Sequence, residues 1–226
     1  MGEHSKKLHH VAIIPDGNRR WAKQKGLFSI EGHRRGYEQS VKIARLSRQM
    51  DIKILTLWGF STENWKRAEE EVGYLMDLFY FGVDAHLKEA LEDKVRIVHI
   101  GRKDRMSEKL RNKIIEAEEK TKHFESYYLV LGLDYGGPDE VVRATKKMNE
   151  ENGDDVMKYL DTAVLPFPNA DLIIRTGGEN RLSGFLSMQS AYAELMFVDD
   201  LYPDFSNEKF KLCIDEFYER DRRFGK

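Results

Sequence analysis

Hydrophobic positions along this chain follow two rhythms. Short apolar runs occur at residues 10–14 (HVAII), 53–60 (KILTLWGF), 95–100 (VRIVHI), 127–133 (YYLVLGL) and 171–175 (DLIIR). Their length and β-branched content are those of strands buried on both faces. Between them, apolar residues recur with helical spacing. Ile43, Leu46 and Met50 do so after Gly36, and Val72, Leu75, Met76, Phe79 and Val83 form a second stripe. A third helix is expected within Lys103 to Lys122, a fourth from near Asp139, and a last over roughly Asn207 to Arg220. Residues 151–170 read as an irregular connection holding one short helix, and residues 1–8 as a flexible lead. Strand and helix alternating in this way imply right-handed crossovers and a mainly parallel sheet flanked by helices. The expectation is a single α/β domain spanning residues 1–226.

The polar clusters between these elements carry the chemistry. PDGNRRW follows the first strand, STENWKR the second, DYGG the fourth and RTGGENRLS the fifth. In a parallel sheet these turns all lie at the carboxyl edge, where α/β proteins bind their ligands. Four such turns are expected to converge on one site.

Composition narrows what the site can bind. The chain carries 37 basic and 39 acidic residues, a net charge of −2, which argues against a general nucleic-acid binder. An anion site must therefore be a local concentration of arginines. Cys213 is the one cysteine, so no intrachain disulfide forms and a reducing compartment fits. Its apolar surroundings mark it as a small buried hydrophobe. No apolar stretch approaches the ~20 residues of a membrane span, and the opening residues lack the apolar middle of a signal peptide. A cytoplasmic protein is expected, with contact at a membrane face still open.

Within PDGNRRW, Gly17 allows close backbone approach to a ligand, and Arg19 and Arg20 offer guanidinium forks that suit phosphate oxygens. Asp16 would repel phosphate unless a divalent cation lay between them, so the mixture suggests a metal-bridged phosphate. A β-turn with a surface ion pair accounts for it equally well. GHRRG reads as the opening of a helix, whose free N–H groups, with His33, suit an anion, although a structural histidine and solvated arginines read as readily. RTGGENRLS is more specific. Arg175 ends a buried strand, two glycines allow a tight loop, and Arg181 and Ser183 add donors. In FSTENWKR, Ser61 or Thr62 caps a helix and Trp65 anchors a core, or else Ser61 and Asn64 place polar groups beside an apolar substrate. Glu194 is a candidate second carboxylate for a metal, or an ordinary surface acid. No phosphate-binding GxxxxGK[ST] loop, HExxH pair or cysteine cluster is present. DDLYPD, interrupted by Pro203, reads as a turn.

Taken in order, HVAIIPDGNRRWA, GHRRG, FSTENWKR, DYGG, DLIIRTGGENRLSGFL, AYAELMF and the closing RRFG resemble the cis-prenyltransferases, the undecaprenyl diphosphate synthase-like isoprenyl transferases. The resemblance runs from His10 to Gly225. It implies Mg²⁺-dependent condensation of isopentenyl diphosphate with an allylic prenyl diphosphate, giving a Z polyprenyl diphosphate for lipid-carrier synthesis. Asp16 then binds the Mg²⁺–diphosphate, and Gly17, Asn18, Arg19, Arg20 and His33 hold the allylic diphosphate beside Trp21. Arg175, Arg181, Leu182 and Ser183 match the isopentenyl diphosphate cradle, with Glu194 helping the metal. Asn64 and Ser61 match residues tied to proton removal, while Thr62, Glu63, Trp65 and Arg67 shape the loop between the substrates. The resemblance also implies an apolar tunnel, lined by the stripe from Val72 to Val83, and a homodimer in which AYAELMF and RRFG contribute to the interface.

The chain departs from that pattern at several points. Phe28-Ser29 stands where Pro-Arg is usual, Asp134 and Pro138 where Asn and Arg are usual, Met188 for Trp and Ala68 for Pro. These changes leave a second reading open, in which the prenyl group goes to a hydroxyl compound or a second allylic unit. A third reading is a non-catalytic partner subunit.

Overall fold

A computed structural model describes residues 7–220. Its centre is a six-stranded sheet, ordered β3-β4-β2-β1-β5-β6, with every neighbouring pair parallel. The strands are β1 (His10–Ile14), β2 (Ile54–Ser61), β3 (Val95–Ile100), β4 (Tyr127–Tyr135), β5 (Leu172–Arg175) and β6 (Glu194–Phe197). All of β1 is buried, as are Ile54 to Leu57 of β2 and all of β5, so the unbroken apolar runs mark the middle of the sheet. In β6 Met196 alone is buried. That strand was not expected from the sequence.

The helices are α1 (Asn18–Gln24), α2 (Ser29–Gln49), α3 (Glu69–Glu92), α4 (Glu108–Thr121), α5 (Gly137–Glu150) and α6 (Asn207–Glu219). Ser107 and Ser206 cap α4 and α6 through their side chains, and Pro138 sits in the first turn of α5. One core cluster joins β1 and β2 to Ile43 and Leu46 of α2 and to Phe210, Cys213, Ile214 and Phe217 of α6. Burial pushes the Cys213 thiol up to about 11, in keeping with its reading as an inert hydrophobe. Residues 151–170 contain two short 3-10 turns, Val156–Tyr159 and Asp161–Val164, rather than one helix. Leu8, expected in a flexible lead, is buried in the core; residues 1–6 and the closing RRFG lie outside the described residues. No helix among the described residues is long and apolar enough to cross a membrane.

GHRRG does not open a helix. α2 begins at Ser29, so Gly32, His33 and Gly36 lie inside it. The two glycines have a different use. A Cβ at Gly32 would stand 2.0 Å from the Asn18 carbonyl oxygen, and one at Gly36 would stand 2.3 Å from Asn18 Oδ1. They let α2 pack directly on the start of α1.

The chain leaves β1 towards β2 on one side and leaves β5 towards β6 on the other. β1 and β5 are neighbours, so the direction of winding reverses between them. Such a reversal opens a crevice beyond the carboxyl ends of the two strands.

Candidate active site

That crevice holds the first sequence-marked residues. Ile14 pairs with Arg175 in register, so the turn after β1 and the end of β5 lie side by side. Gly17 adopts φ 104°, and a Cβ there would meet Leu201 at 2.8 Å. This left-handed residue swings the chain from β1 into α1 and leaves Asp16 facing Arg175. Arg175 Nη2 donates to Asp16 Oδ2 at 2.9 Å, and its Nη1 donates to Ser183 Oγ, also at 2.9 Å. Arg20 Nη2 stands 3.3 Å from Asp16 Oδ1. Arg175 is buried, yet its Nε–H has no partner, and neither has the buried Oδ1 of Asn18. Buried polar atoms left unpaired are costly unless something else satisfies them.

Two connected cavities meet here. A polar basin of about 810 Å³ is lined by Asp16, Gly17, Asn18, Arg19, Arg20, Lys23, Ser29, His33 and Arg67 among others. Against its arginines and lysine it sets one carboxylate, Asp16, which makes it an anion basin. The second cavity, about 390 Å³, shares Asp16, Asn18, His33 and Arg67 with the first and also reaches Ser61, Asn64, Arg175 and Ser183. From there it runs between α2, α3 and the sheet, past Leu75, Phe79 and Val83. Of the stripe expected to line a tunnel, those three border this cavity; Val72 and Met76 do not, and with Leu75 and Phe79 they pack in the cluster around Phe60 and Leu110.

The FSTENWKR segment forms a 3-10 turn, Thr62–Lys66, at the end of β2. Ser61 N donates to Asn64 Oδ1 at 3.0 Å, and the Ser61 side chain accepts from the Asn64 backbone in return. The capping role and the siting at the cavity wall therefore coexist. Trp65 packs edge-on against Phe60, with ring centroids 5.1 Å apart, and donates from Nε1 to Asp134 Oδ1 at 2.8 Å. Arg105 also clamps Asp134, from Nε to Oδ2 at 2.8 Å. DYGG thus supports the turn from behind rather than lining the cavity.

Sequence reasoning missed Glu71. It lies in the first turn of α3 and gathers three site residues: His33 Nε2 at 3.1 Å, Arg67 Nη1 at 3.0 Å and Arg19 Nε at 3.7 Å. Burial pushes its carboxyl up, but the His33 hydrogen bond and the charges of Arg67 and Arg19 outweigh that and hold it below its ordinary value. Burial lowers His33, with the Glu71 bond opposing. The one sequence signal was the acidic triplet that opens α3, which reads as ordinary helix-dipole compensation.

Other expected residues do not join the two cavities. Trp21 Nε1 donates to Asp204 Oδ1 at 2.9 Å, tying α1 to the DDLYPD turn. Arg181 is exposed and paired with Glu179, and Leu182 packs against the core. Thr62 Oγ1 donates to Glu63 Oε1 at 2.8 Å outside both cavities. Glu194 stands apart from Asp16 within the chain. It pairs in register with Leu172, whereas Arg175 pairs with Phe197. Three residues of strand, about 10 Å, separate its level from that of Arg175, and Asp16 lies beyond Ile14. Arg220 Nη1 holds the Glu194 carboxylate at 3.3 Å. Within one chain the two carboxylates do not share a metal, and no group of three or more potential metal ligands gathers among the described residues.

Comparison with known proteins accords with this geometry. A family model described as "Putative undecaprenyl diphosphate synthase" matches residues 14–225. An isoprenyl transferase of Treponema denticola is 42% identical over 98% of this chain and 99% of its own length. A ditrans,polycis-undecaprenyl-diphosphate synthase of Micrococcus luteus, described as (2E,6E)-farnesyl-diphosphate specific, is 42% identical over 96% of this chain and 90% of its own. Among solved structures, lavandulyl diphosphate synthase from Lavandula x intermedia, in complex with dimethylallyl diphosphate, superposes with a TM-score of 0.92 at 32% identity, covering 96% of this chain and 98% of the other. The chain is a member of the undecaprenyl diphosphate synthase family of cis-prenyltransferases.

Proposed function

We propose that this enzyme condenses isopentenyl diphosphate with an allylic prenyl diphosphate, in a Mg²⁺-dependent reaction, to give a Z polyprenyl diphosphate used as a lipid carrier. One observation carries the proposal. An anion basin shares Asp16, Asn18, His33 and Arg67 with a largely apolar cavity into whose wall the buried, unpaired Arg175 Nε–H is set, as a substrate with a charged head and a hydrocarbon tail requires.

The donor set suits the metal. Mg²⁺ binds through one or two carboxylates, keeps several waters, and takes its remaining oxygens from substrate phosphates. Asp16 supplies one carboxylate beside arginines that repel a bare cation but attract a diphosphate. Bound there, Mg²⁺ supplies Lewis-acid stabilisation of the departing diphosphate.

The protein's own part is binding and positioning. Arg19, Arg20, His33 and the backbone at Gly17 and Asn18 grip the allylic diphosphate. As the allylic C–O bond breaks, these cations stabilise the charge that collects on the leaving diphosphate. Arg175 and Ser183, with Arg181 at the rim, cradle the second diphosphate, and the double bond of isopentenyl diphosphate then attacks the allylic carbon. Asn64 and Ser61, at the cavity wall, lie where the proton departs. Arg67 bounds both cavities and orders the boundary between the two substrates.

A homodimer formed along the sheet edge completes the proposal. β6 is the outer strand there, with Tyr192 and Phe197 exposed beside it, and an unpaired edge favours cover by another chain. A cytoplasmic enzyme touching a membrane face for product release fits the same scheme. The superposition on lavandulyl diphosphate synthase keeps the second reading alive, in which the acceptor is a second allylic unit.

Purified protein incubated with Mg²⁺, labelled isopentenyl diphosphate and several allylic diphosphates decides between them. Label should enter products lengthened by five-carbon units with new Z double bonds. Absence of label from the product, with prenyl transfer to another acceptor, overturns the first reading in favour of the second.

A further inference from the structure

The DYGG segment, Asp134 to Gly137, lines neither cavity, yet it touches two of the loops that build the candidate site. It ends β4 and opens α5, and its residues face two ways. Towards β2, Ser61 pairs with Tyr135 at a place where the two strands slip out of regular register. Irregularities of that kind re-aim side chains beside functional sites. Asp134 Oδ1 accepts from Trp65 Nε1 at 2.8 Å, and its fully buried carboxylate is held by Arg105. The φ of Asp134 is 52°, a left-handed conformation that Asp and Asn adopt more readily than other side chains.

Space, rather than backbone freedom, accounts for the two glycines. Gly136 has extended backbone, φ −151°, which suits any residue. A Cβ there would nevertheless stand 2.6 Å from Thr62 Oγ1. At Gly137 a Cβ would stand 2.4 Å from the Gly184 carbonyl oxygen and 2.3 Å from Ser187 Oγ. The Gly137 N–H donates to that same carbonyl at 2.8 Å. Gly184 follows Ser183, the residue that accepts from Arg175 Nη1. Two consecutive glycines, with Cα atoms about 3.8 Å apart, thus lean on opposite loops. Gly136 meets the turn that carries Ser61 and Asn64, and Gly137 meets the loop that carries Ser183. Trp58 adds a second crossing. Its Nε1 donates to the Tyr135 carbonyl at 3.1 Å, while its ring stacks on Phe185 of the Ser183 loop with centroids 4.9 Å apart.

Close-packed contacts transmit a displacement because protein interiors are barely compressible. Reacting groups moved by about 1 Å can lose about 10²-fold in rate. We propose that Asp134 to Gly137 form a strut that fixes the Ser61–Asn64 turn against the Arg175–Ser183 cradle, and so sets how the second substrate meets the first. These are positioning residues, acting through Thr62, Trp65 and Gly184. The assignment rests on the reading that the cradle holds the isopentenyl diphosphate and the turn lies where the proton departs.

Two measurements on the full-length enzyme test it: turnover per folded molecule with Mg²⁺ and both diphosphates, and the calorimetric Kd for an unreactive thiolo analogue of the allylic diphosphate. Gly136→Ala presses a methyl group onto Thr62, and turnover should fall about 10²-fold. The Kd should stay within about twofold, because the residues assigned to the allylic diphosphate lie on the turn after β1, α1 and α2. Adding Thr62→Ala leaves only Cβ, at 3.5 Å, in the way. The double variant should then turn over as Thr62→Ala alone does. General loosening of the fold would instead weaken both readouts together. Unchanged turnover in Gly136→Ala, an equal loss of analogue affinity, or a loss that Thr62→Ala does not repair would each overturn the strut. If Gly136→Ala does not fold, Gly137→Ala, which presses on Gly184 from the other side, carries the test through the same split. A wild-type chain that binds the analogue but prenylates a different acceptor overturns the condensation reading alone, and the same variants judge the strut with that acceptor.

Discussion

Arg143 and Arg175 serve the carboxyl edge of the same parallel sheet, and each reaches across to a carboxylate outside its own element, Asp161 and Asp16. Arg143, on α5, uses every arm of its guanidinium: Nη1 and Nη2 go to the two oxygens of Asp161 at 2.9 and 2.7 Å, and Nε goes to Asp139 at 2.8 Å. Around it the network continues to close. Asp161 also takes the Gly101 N–H, and Glu140 accepts from the Asp161 N–H, from Tyr135 Oη and from Gln189. Arg175, at the end of β5, is more deeply buried yet unfinished. It spends two arms on Asp16 and Ser183 and leaves Nε–H bare beside a cavity. A guanidinium whose three nitrogens all donate to carboxylates is part of the scaffold. One that is buried, incomplete and open to a cavity suits the anion proposed for it.

The comparison breaks most sharply on Asp16. Asp16→Ala should lower turnover per folded molecule by about 10³-fold or more, the ~3–4 kcal/mol typical of deleting a principal charge stabiliser. Near-normal Mg²⁺-dependent turnover by this variant would move the site elsewhere.

Acid should act on the scaffold rather than the site. His10 and His99 are both buried and are lowered to about 4 by loss of hydration. His10 donates from Nδ1 to the Phe167 carbonyl and its Nε2 lies 2.7 Å from the Thr56 hydroxyl, a pattern the neutral ring satisfies. Because the folded pKa lies below the unfolded value of about 6.5, the unfolded chain binds protons first as pH falls. Stability is complete above pH ~6.5 and declines towards pH ~4, by up to about 3 kcal/mol for each histidine. Chemical denaturation across that range checks the slope, which should flatten in His10→Gln if that variant folds.

Arg143→Ala should produce the mirror image of the Asp16 variant. Two carboxylates lose charged hydrogen bonds, about 2 kcal/mol, and Tm drops by ~4–8 °C for a chain of this size. Turnover per folded molecule should stay within about twofold. A large loss of turnover at unchanged Tm would place Arg143 in the site and erase the distinction.

Much of this was legible in the residues. Five strands were readable because buried parallel strands are continuous apolar runs, and their carboxyl ends located the polar turns that meet. β6 was not, since ELMF is short and lies at an edge with one buried side chain. The start of α2 was not, because Ser29 to Gly36 carries two glycines whose reason is contact with Asn18, a fact of packing rather than of propensity. The meeting of Asp16, Arg175 and Ser183 followed from strand ends. The separation of Glu194 from Asp16 depends on the register of a strand too short to read. Glu71 was hidden among ordinary helix-opening acids until tertiary structure set it against His33, Arg67 and Arg19.

The central claim is that Asp16 binds the allylic diphosphate through a bridging cation while the neighbouring arginines grip its oxygens. Calorimetric titration of the enzyme with an unreactive thiolo analogue of an allylic diphosphate, with and without Mg²⁺, tests it directly. In the wild-type chain Mg²⁺ should tighten binding at least tenfold, and Asp16→Asn should abolish that dependence while residual, metal-independent binding to the arginines persists. A full Mg²⁺ effect retained in Asp16→Asn would contradict the account.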